Sequence, residues 1–211
     1  MTAELIQGSP EWFAARCGKV TASRIADVIA KTRSGWGASR GNYMAELIAE
    51  RLTGTPAETY TSAAMQRGID TEPQARAAYE FFTDATVETV GFVAHHDIPE
   101  SGASPDGLVG KDGVLEIKCP NTATHIDTLL TEKIPDKYIV QMQWQMACSG
   151  RKWCDFVSFD PRLPQKLCLY VKRFKRDDDR IKEIDGMVRE FLKETADKVA
   201  ALEARAREEA A

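Results

Sequence analysis

At 211 residues, with 43% hydrophobic and 28% charged side chains, the chain has enough apolar material for one domain spanning 1–211 with its own core. No apolar run approaches the ~18 residues needed to cross a bilayer, and MTAELIQGSPEW at the start lacks the basic and apolar regions of a secretory signal, so a cytoplasmic protein without a membrane partner is expected. The net charge of −4 is local: residues 177–211 hold eleven acids against seven bases, and residues 1–176 are neutral overall.

Residues 10–17, opening with Pro10, predict a short helix. Arg16, Lys19, Arg24, Lys31, Arg33 and Arg40 face the single acid Asp27 within 15–40, a basic patch that suits phosphates or else a solvated surface. A helix is expected to begin near Thr21 or Ser23, ahead of Ile25, Val28 and Ile29. The Gly- and Ser-rich stretch 32–41 reads as a loop. Tyr43, Leu47, Ile48 and Leu52 are spaced as in a helix, and 61–82 predicts a second one, weakened at Gly68 and Pro73. Strand-like pieces follow at 90–98, 103–109 and 113–118. The turn composition Gly110-Lys111-Asp112-Gly113 makes 103–118 a β-hairpin. Residues 136–149 return to helix, 153–160 and 166–174 are strands, and Ile181, Ile184, Val188, Phe191, Val199 and Leu202 mark a long amphipathic C-terminal helix. The sum is an α/β fold with a mixed sheet.

The chemistry concentrates in Ser104-Pro105-Asp106-Gly107 and Leu115-Glu116-Ile117-Lys118. Side chains alternate along a strand, so Glu116 and Lys118 share one face and Ile117 takes the other. The hairpin brings Asp106 beside them. Two converging carboxylates call for a cation, and an all-oxygen set with the Ile117 carbonyl suits Mg²⁺. A metal lowers the pKa of its water, and a neighbouring lysine can orient the hydroxide or offset phosphate charge. The plain alternative for the same spacing is a half-buried salt bridge on a strand.

These residues match the PD-(D/E)xK nuclease superfamily, and the chain resembles the phage lambda exonuclease and YqaJ-type viral recombinase family over nearly its whole length. The resembling pieces include Gln7-Gly8 through Trp12, Arg16, Gly18, Val20-Thr21-Ala22-Ser23, Val28 to Lys31 and Arg33-Ser34-Gly35. They continue with Gly68, Glu72, Ala75-Arg76, SPDGL at 104–108, LEIKCP at 115–120, Tyr138, Gln141, Gln143 and Asp160-Pro161. The resemblance implies a restriction-endonuclease-like core, a central mixed sheet flanked by helices. It implies that Asp106, Glu116 and the Ile117 carbonyl bind Mg²⁺, with two ions expected and Mn²⁺ able to substitute. Lys118 would stand beside the nucleophilic water, Glu72 would approach the metals from a helix, and Gln141 would steady Lys118 or the water. Arg16 and Ser23 would hold the 5′-phosphate of a DNA end, in a site lined by Thr21, Trp12 and Tyr138. The implied activity is processive 5′→3′ digestion of double-stranded DNA ends by a ring-shaped homotrimer, releasing 5′-phosphomononucleotides. The remaining 3′ strand would pass to a single-strand DNA annealing protein in phage-type recombination, in a bacterial cytoplasm.

The chain departs from the family pattern in a shorter 121–137 segment, in Met65-Gln66-Arg67 before Gly68, and in its Ala- and Glu-rich end at 200–211. Rival readings are a structure-specific or restriction-like endonuclease with the same metal centre, and a non-enzymatic DNA-end-binding subunit. Zinc at His95-His96-Asp97 or His125 is disfavoured, because adjacent strand histidines point to opposite faces. The five cysteines show no CxxC spacing and read as reduced thiols.

Overall fold

A computed structural model describes residues 6–57 and 61–209. The N-terminal stretch inspected for a signal and the tail at 200–211 therefore lie partly outside the described residues. Helix α1 (Pro10–Arg16) starts at Ser9, whose hydroxyl accepts from the Trp12 N–H at 3.2 Å. Strand β1 (Val20–Thr21), a 3₁₀ turn (Ala22–Arg24) and α2 (Ile25–Val28) follow. The expected loop instead pairs as a hairpin, β2 (Lys31–Thr32) with β3 (Gly35–Trp36), and α3 (Ala38–Thr53) begins directly after it. Helix α4 (Ala63–Thr83) runs unbroken through Pro73, its buried Ala75 and Tyr79 docked on the sheet; packing outweighs the lost hydrogen bond.

Five short strands come next: β4 (Val87–Glu88), β5 (Val93–Ala94), β6 (Ser101–Ala103), β7 (Gly107–Val109) and β8 (Gly113–Lys118). The hairpin is therefore β7–β8 alone, with Gly110 at positive φ in its turn. Ala103 belongs to a separate three-stranded sheet, ordered β1-β6-β5. Helices α5 (Thr122–Thr131) and α6 (Asp136–Ser149) carry the chain to β9 (Trp153–Phe159), then β10 (Leu169–Lys175) and α7 (Asp178–Glu209). The main sheet is ordered β10-β9-β8-β7-β4, antiparallel except where β9 lies parallel to β8. Among the described residues, no helix is long and apolar enough to cross a membrane.

Alternation along β8 sorts the layers. Leu115 and Ile117 pack with Ala75 and Tyr79 of α4, while Val114 packs with Met142 and Met146 of α6. Helix α6 is buried continuously from Val140 to Cys148, since its far side meets a helical layer of α2, α3 and α7. Trp144 anchors that second interface. It is fully buried, donates from Nε1 to the Ser101 hydroxyl at 3.0 Å and stacks on His95 at 4.9 Å. Trp144→Ala should cost about 3–5 kcal/mol of unfolding free energy. Urea denaturation checks this; a loss below about 1 kcal/mol would mean the cavity closes.

Candidate active site

Lys118 ends β8 and Glu116 sits two residues before it, so both face α6 while Ile117 enters the opposite core. Glu116 is almost wholly buried, yet every oxygen has a donor. Lys118 Nζ pairs with Oε1, the Gln141 amide donates to the same atom at 2.7 Å, and the Gln145 amide donates to Oε2 at 2.5 Å. Tyr138 lies beneath Lys118, its ring centroid 5.0 Å from Nζ. Tyr138, Gln141 and Gln145, at three- and four-residue spacing on one face of α6, therefore meet the strand. Gln141 bonds the glutamate rather than the lysine.

Asp106 precedes β7. Its N–H donates to the Leu115 carbonyl at 3.1 Å, and its Oδ2 accepts from the Ile117 N–H at 2.5 Å. Strand alternation turns the Ile117 carbonyl to that same edge. The loop is braced by Gln7, whose amide donates to the Pro105 carbonyl at 2.8 Å. Burial first, and then the charge of Glu116, push the Asp106 carboxyl well above the usual carboxylate range, against the opposing pull of Lys118. Glu72 on α4 feels the same surroundings: burial raises it despite Arg76, which donates to its carboxylate at 2.7 Å. For Lys118, burial alone would lower the pKa, but Glu116 and Asp106 outweigh it, and the ammonium is held more firmly than in free lysine. Lys118 is thus a fixed cation and a poor general base.

Among the described residues, no three His, Cys, Asp or Glu side chains stand together as a metal cluster. Glu116 is turned to its three donors and Glu72 to Arg76. The donor chemistry nevertheless fits a hard divalent ion: the Asp106 and Glu72 carboxyls, both raised first by burial and also by the charge of Glu116, with Glu116 itself and the Ile117 peptide carbonyl, all oxygen.

Beside this centre lies a cationic site. The Arg16 guanidinium stacks 4.0 Å from the Trp12 ring centroid, and both side chains donate to the Ser104 hydroxyl, at 3.1 and 2.9 Å. Ser104, two residues from Asp106, ties that pair to the acidic centre; its place in SPDGL was visible, its partners were not. Burial lowers the Arg16 pKa. Thr21 is buried, and its hydroxyl lies 3.3 Å from that of Ser23. Ser23 does not open a helix. It lies exposed inside the 3₁₀ turn, and α2 has only four residues, too few for an appreciable dipole, so only its hydroxyl is offered to an anion.

The basic patch is thinner than its sequence implied. Arg24 is spent on Asp27 and Glu46, and Arg40 is buried against Glu194, leaving Arg16, Lys19, Lys31 and Arg33. The histidines are also placed differently. His95 and His96 follow β5 rather than lying within it, and their rings stack 4.6 Å apart instead of pointing to opposite faces. His125 is buried between the Ser158 hydroxyl and the Leu167 carbonyl.

A mixed sheet flanked by helices, with Asp106, Glu116 and Lys118 at the open end of one hairpin, is the architecture of the PD-(D/E)xK nuclease fold. The chain belongs to the YqaJ-like viral recombinase domain family, whose model matches residues 11–152. It is similar to the alkaline exonuclease LHK-Exo of Laribacter hongkongensis, solved alone and in complex with dAMP. Identity is 54%, coverage is 95% of this chain and 99% of that one, and the TM-scores are 0.89 and 0.90. A phage-related exonuclease from Haemophilus somnus 129PT shares the fold at 17% identity, with a TM-score of 0.72 over 87% of this chain and 96% of its own. No match is found among curated proteins.

Proposed function

We propose that this protein is a Mg²⁺-dependent exonuclease that digests double-stranded DNA processively from 5′ ends. The observation that carries the reading is the joining of two sites by one short segment: Ser104 holds Arg16 and Trp12, and Asp106 faces Glu116 and Lys118. The 54% identical alkaline exonuclease, crystallised with dAMP, supports it.

Asp106, Glu116, the Ile117 carbonyl and Glu72 would hold two Mg²⁺ ions, with Mn²⁺ an acceptable substitute. When bound, the metal makes a coordinated water acidic enough to attack near neutral pH and offsets phosphate charge. Lys118, its charge favoured by Glu116 and Asp106, orients that water and stabilises negative charge on the scissile phosphate. Gln141 fixes one Glu116 oxygen. Arg16, stacked on Trp12, offers its remaining N–H groups to a terminal 5′-phosphate, with Ser23, Thr21 and Tyr138 around it. The released products are 5′-phosphomononucleotides, and the surviving 3′ strand goes to a single-strand annealing protein. Assembly as a ring-shaped trimer accounts for processivity, and a bacterial cytoplasm is the setting.

Digestion of linear and closed circular duplex, with separate 5′ and 3′ labels, tests the activity. Loss of the 5′ label from linear DNA with the circle untouched is expected; a cut circle would establish the endonuclease reading, and no magnesium-dependent release would leave an end-binding subunit. Arg16→Ala should lower the preference for 5′-phosphorylated over 5′-hydroxyl ends by about tenfold or more, since a charge-assisted phosphate contact contributes roughly 1.5–3 kcal/mol. Initial rates on the two substrates check it, and an unchanged ratio removes Arg16 from end recognition.

A further inference from the structure

Glu116 is gripped on both oxygens by amides from one helix, and only one of these, Gln141, is expected from the family. Gln145 lies one turn further along α6, fully buried, and its amide nitrogen donates to Oε2. Its side-chain carbonyl oxygen, Oε1, is buried and accepts no hydrogen bond among the described residues. An amide with an orphaned acceptor is a costly choice for a buried position whose neighbours on the helix, Met142 and Met146, are apolar. Its donor gives the amide a purpose, and that donor's target is Glu116.

We propose that Gln145 is a positioning residue for the metal centre. By holding Oε2 from the interior it fixes the carboxylate rotamer and presents Oε1 to Lys118 and the cation site. The inference rests on Glu116 being a metal ligand. Second-layer hydrogen bonds of this kind orient a ligand, and losing one lowers metal affinity.

The test is calorimetric titration of the full-length, chelator-treated protein with Mn²⁺. Gln145→Met conserves volume and removes the donor. It should weaken Mn²⁺ binding about tenfold and raise the Mg²⁺ concentration for half-maximal cleavage in step. Parental Mn²⁺ affinity with a lowered melting temperature would show a merely structural side chain and overturn the proposal. Gln145→Asn keeps an amide too short to reach Oε2, carries the same expectation, and decides the matter if the methionine variant does not fold. Asp106→Asn in the same titration separates this idea from the one beneath it. Lost binding there beside parental affinity in Gln145→Met overturns the positioning role alone; parental affinity in Asp106→Asn overturns the metal centre and this role with it.

Discussion

Asp106→Asn should cut DNA cleavage by about a thousandfold or more, in a protein expected to melt no lower than its parent at neutral pH and without metal. The two halves have one cause. Burial and the neighbouring Glu116 raise the Asp106 pKa, so its charged form works against folding. A group whose folded pKa lies above its unfolded value binds a proton more readily when folded. Parent stability should therefore rise as pH falls through that raised value, and Asp106→Asn should lack this contribution. The asparagine keeps one oxygen for the Ile117 N–H but loses the charge a divalent ion needs. In the proposed metal centre proton and metal would compete for the carboxylate, so raising Mg²⁺ should move the acid limb of the pH–rate profile to lower pH. Urea melts across pH and rate profiles at two Mg²⁺ concentrations check these outcomes. A variant with near-parental cleavage, or an acid limb indifferent to metal, would remove Asp106 from the centre.

What could be read in advance follows from the range of the interactions. Glu116, Ile117 and Lys118 were assignable because strand alternation is local and the Gly110–Gly113 turn announces its hairpin. The stripe of α7 was equally plain from Ile181 to Phe191, whereas Val199 is only half-buried and Leu202 is exposed, because the helix runs on past the layer it packs against. Helix α5 was missed because TATHIDTLLT is rich in β-branched residues. It is held by the Asn121 cap and by buried His125, whose partners Ser158 and Leu167 lie 33 and 42 positions away. The β2–β3 hairpin was hidden by loop-like Ser and Gly. Arg24 and Arg40 counted toward a phosphate patch because their neutralising partners, Glu46 and Glu194, are 22 and 154 residues distant. Ser104 was legible as part of a motif, but its role comes from two donors 88 and 92 positions earlier. Gln145 had the right helical spacing and no local sign of what it would touch. Period and turn chemistry thus locate the acids and the amine, while the side chains that hold them in place are set by contacts that no short window of sequence contains.

Lys118→Met gives the second large effect, and it separates catalysis from the plain salt-bridge reading. The methionine retains the apolar stem over Tyr138 and deletes the charge facing Glu116. Breaking a buried ion pair commonly costs about 3–5 kcal/mol, because a charge is left unpaired. Here the cost should be smaller, since Gln141 and Gln145 still donate to both Glu116 oxygens and Lys118 is partly exposed. Saturating Mg²⁺ supplies positive charge beside the same carboxylate, so it should restore the melting temperature. It should not restore cleavage. In the proposed mechanism the ammonium, paired with Glu116 and held charged also by Asp106, acts on the water and the phosphate, and removing one preorganised electrostatic group of this sort costs about 10²–10³ in rate. Melting temperature and turnover measured across one Mg²⁺ titration decide between the readings. If turnover climbs back with stability, Lys118 only balances the charge of Glu116; if stability returns and turnover does not, the amine belongs to the chemistry.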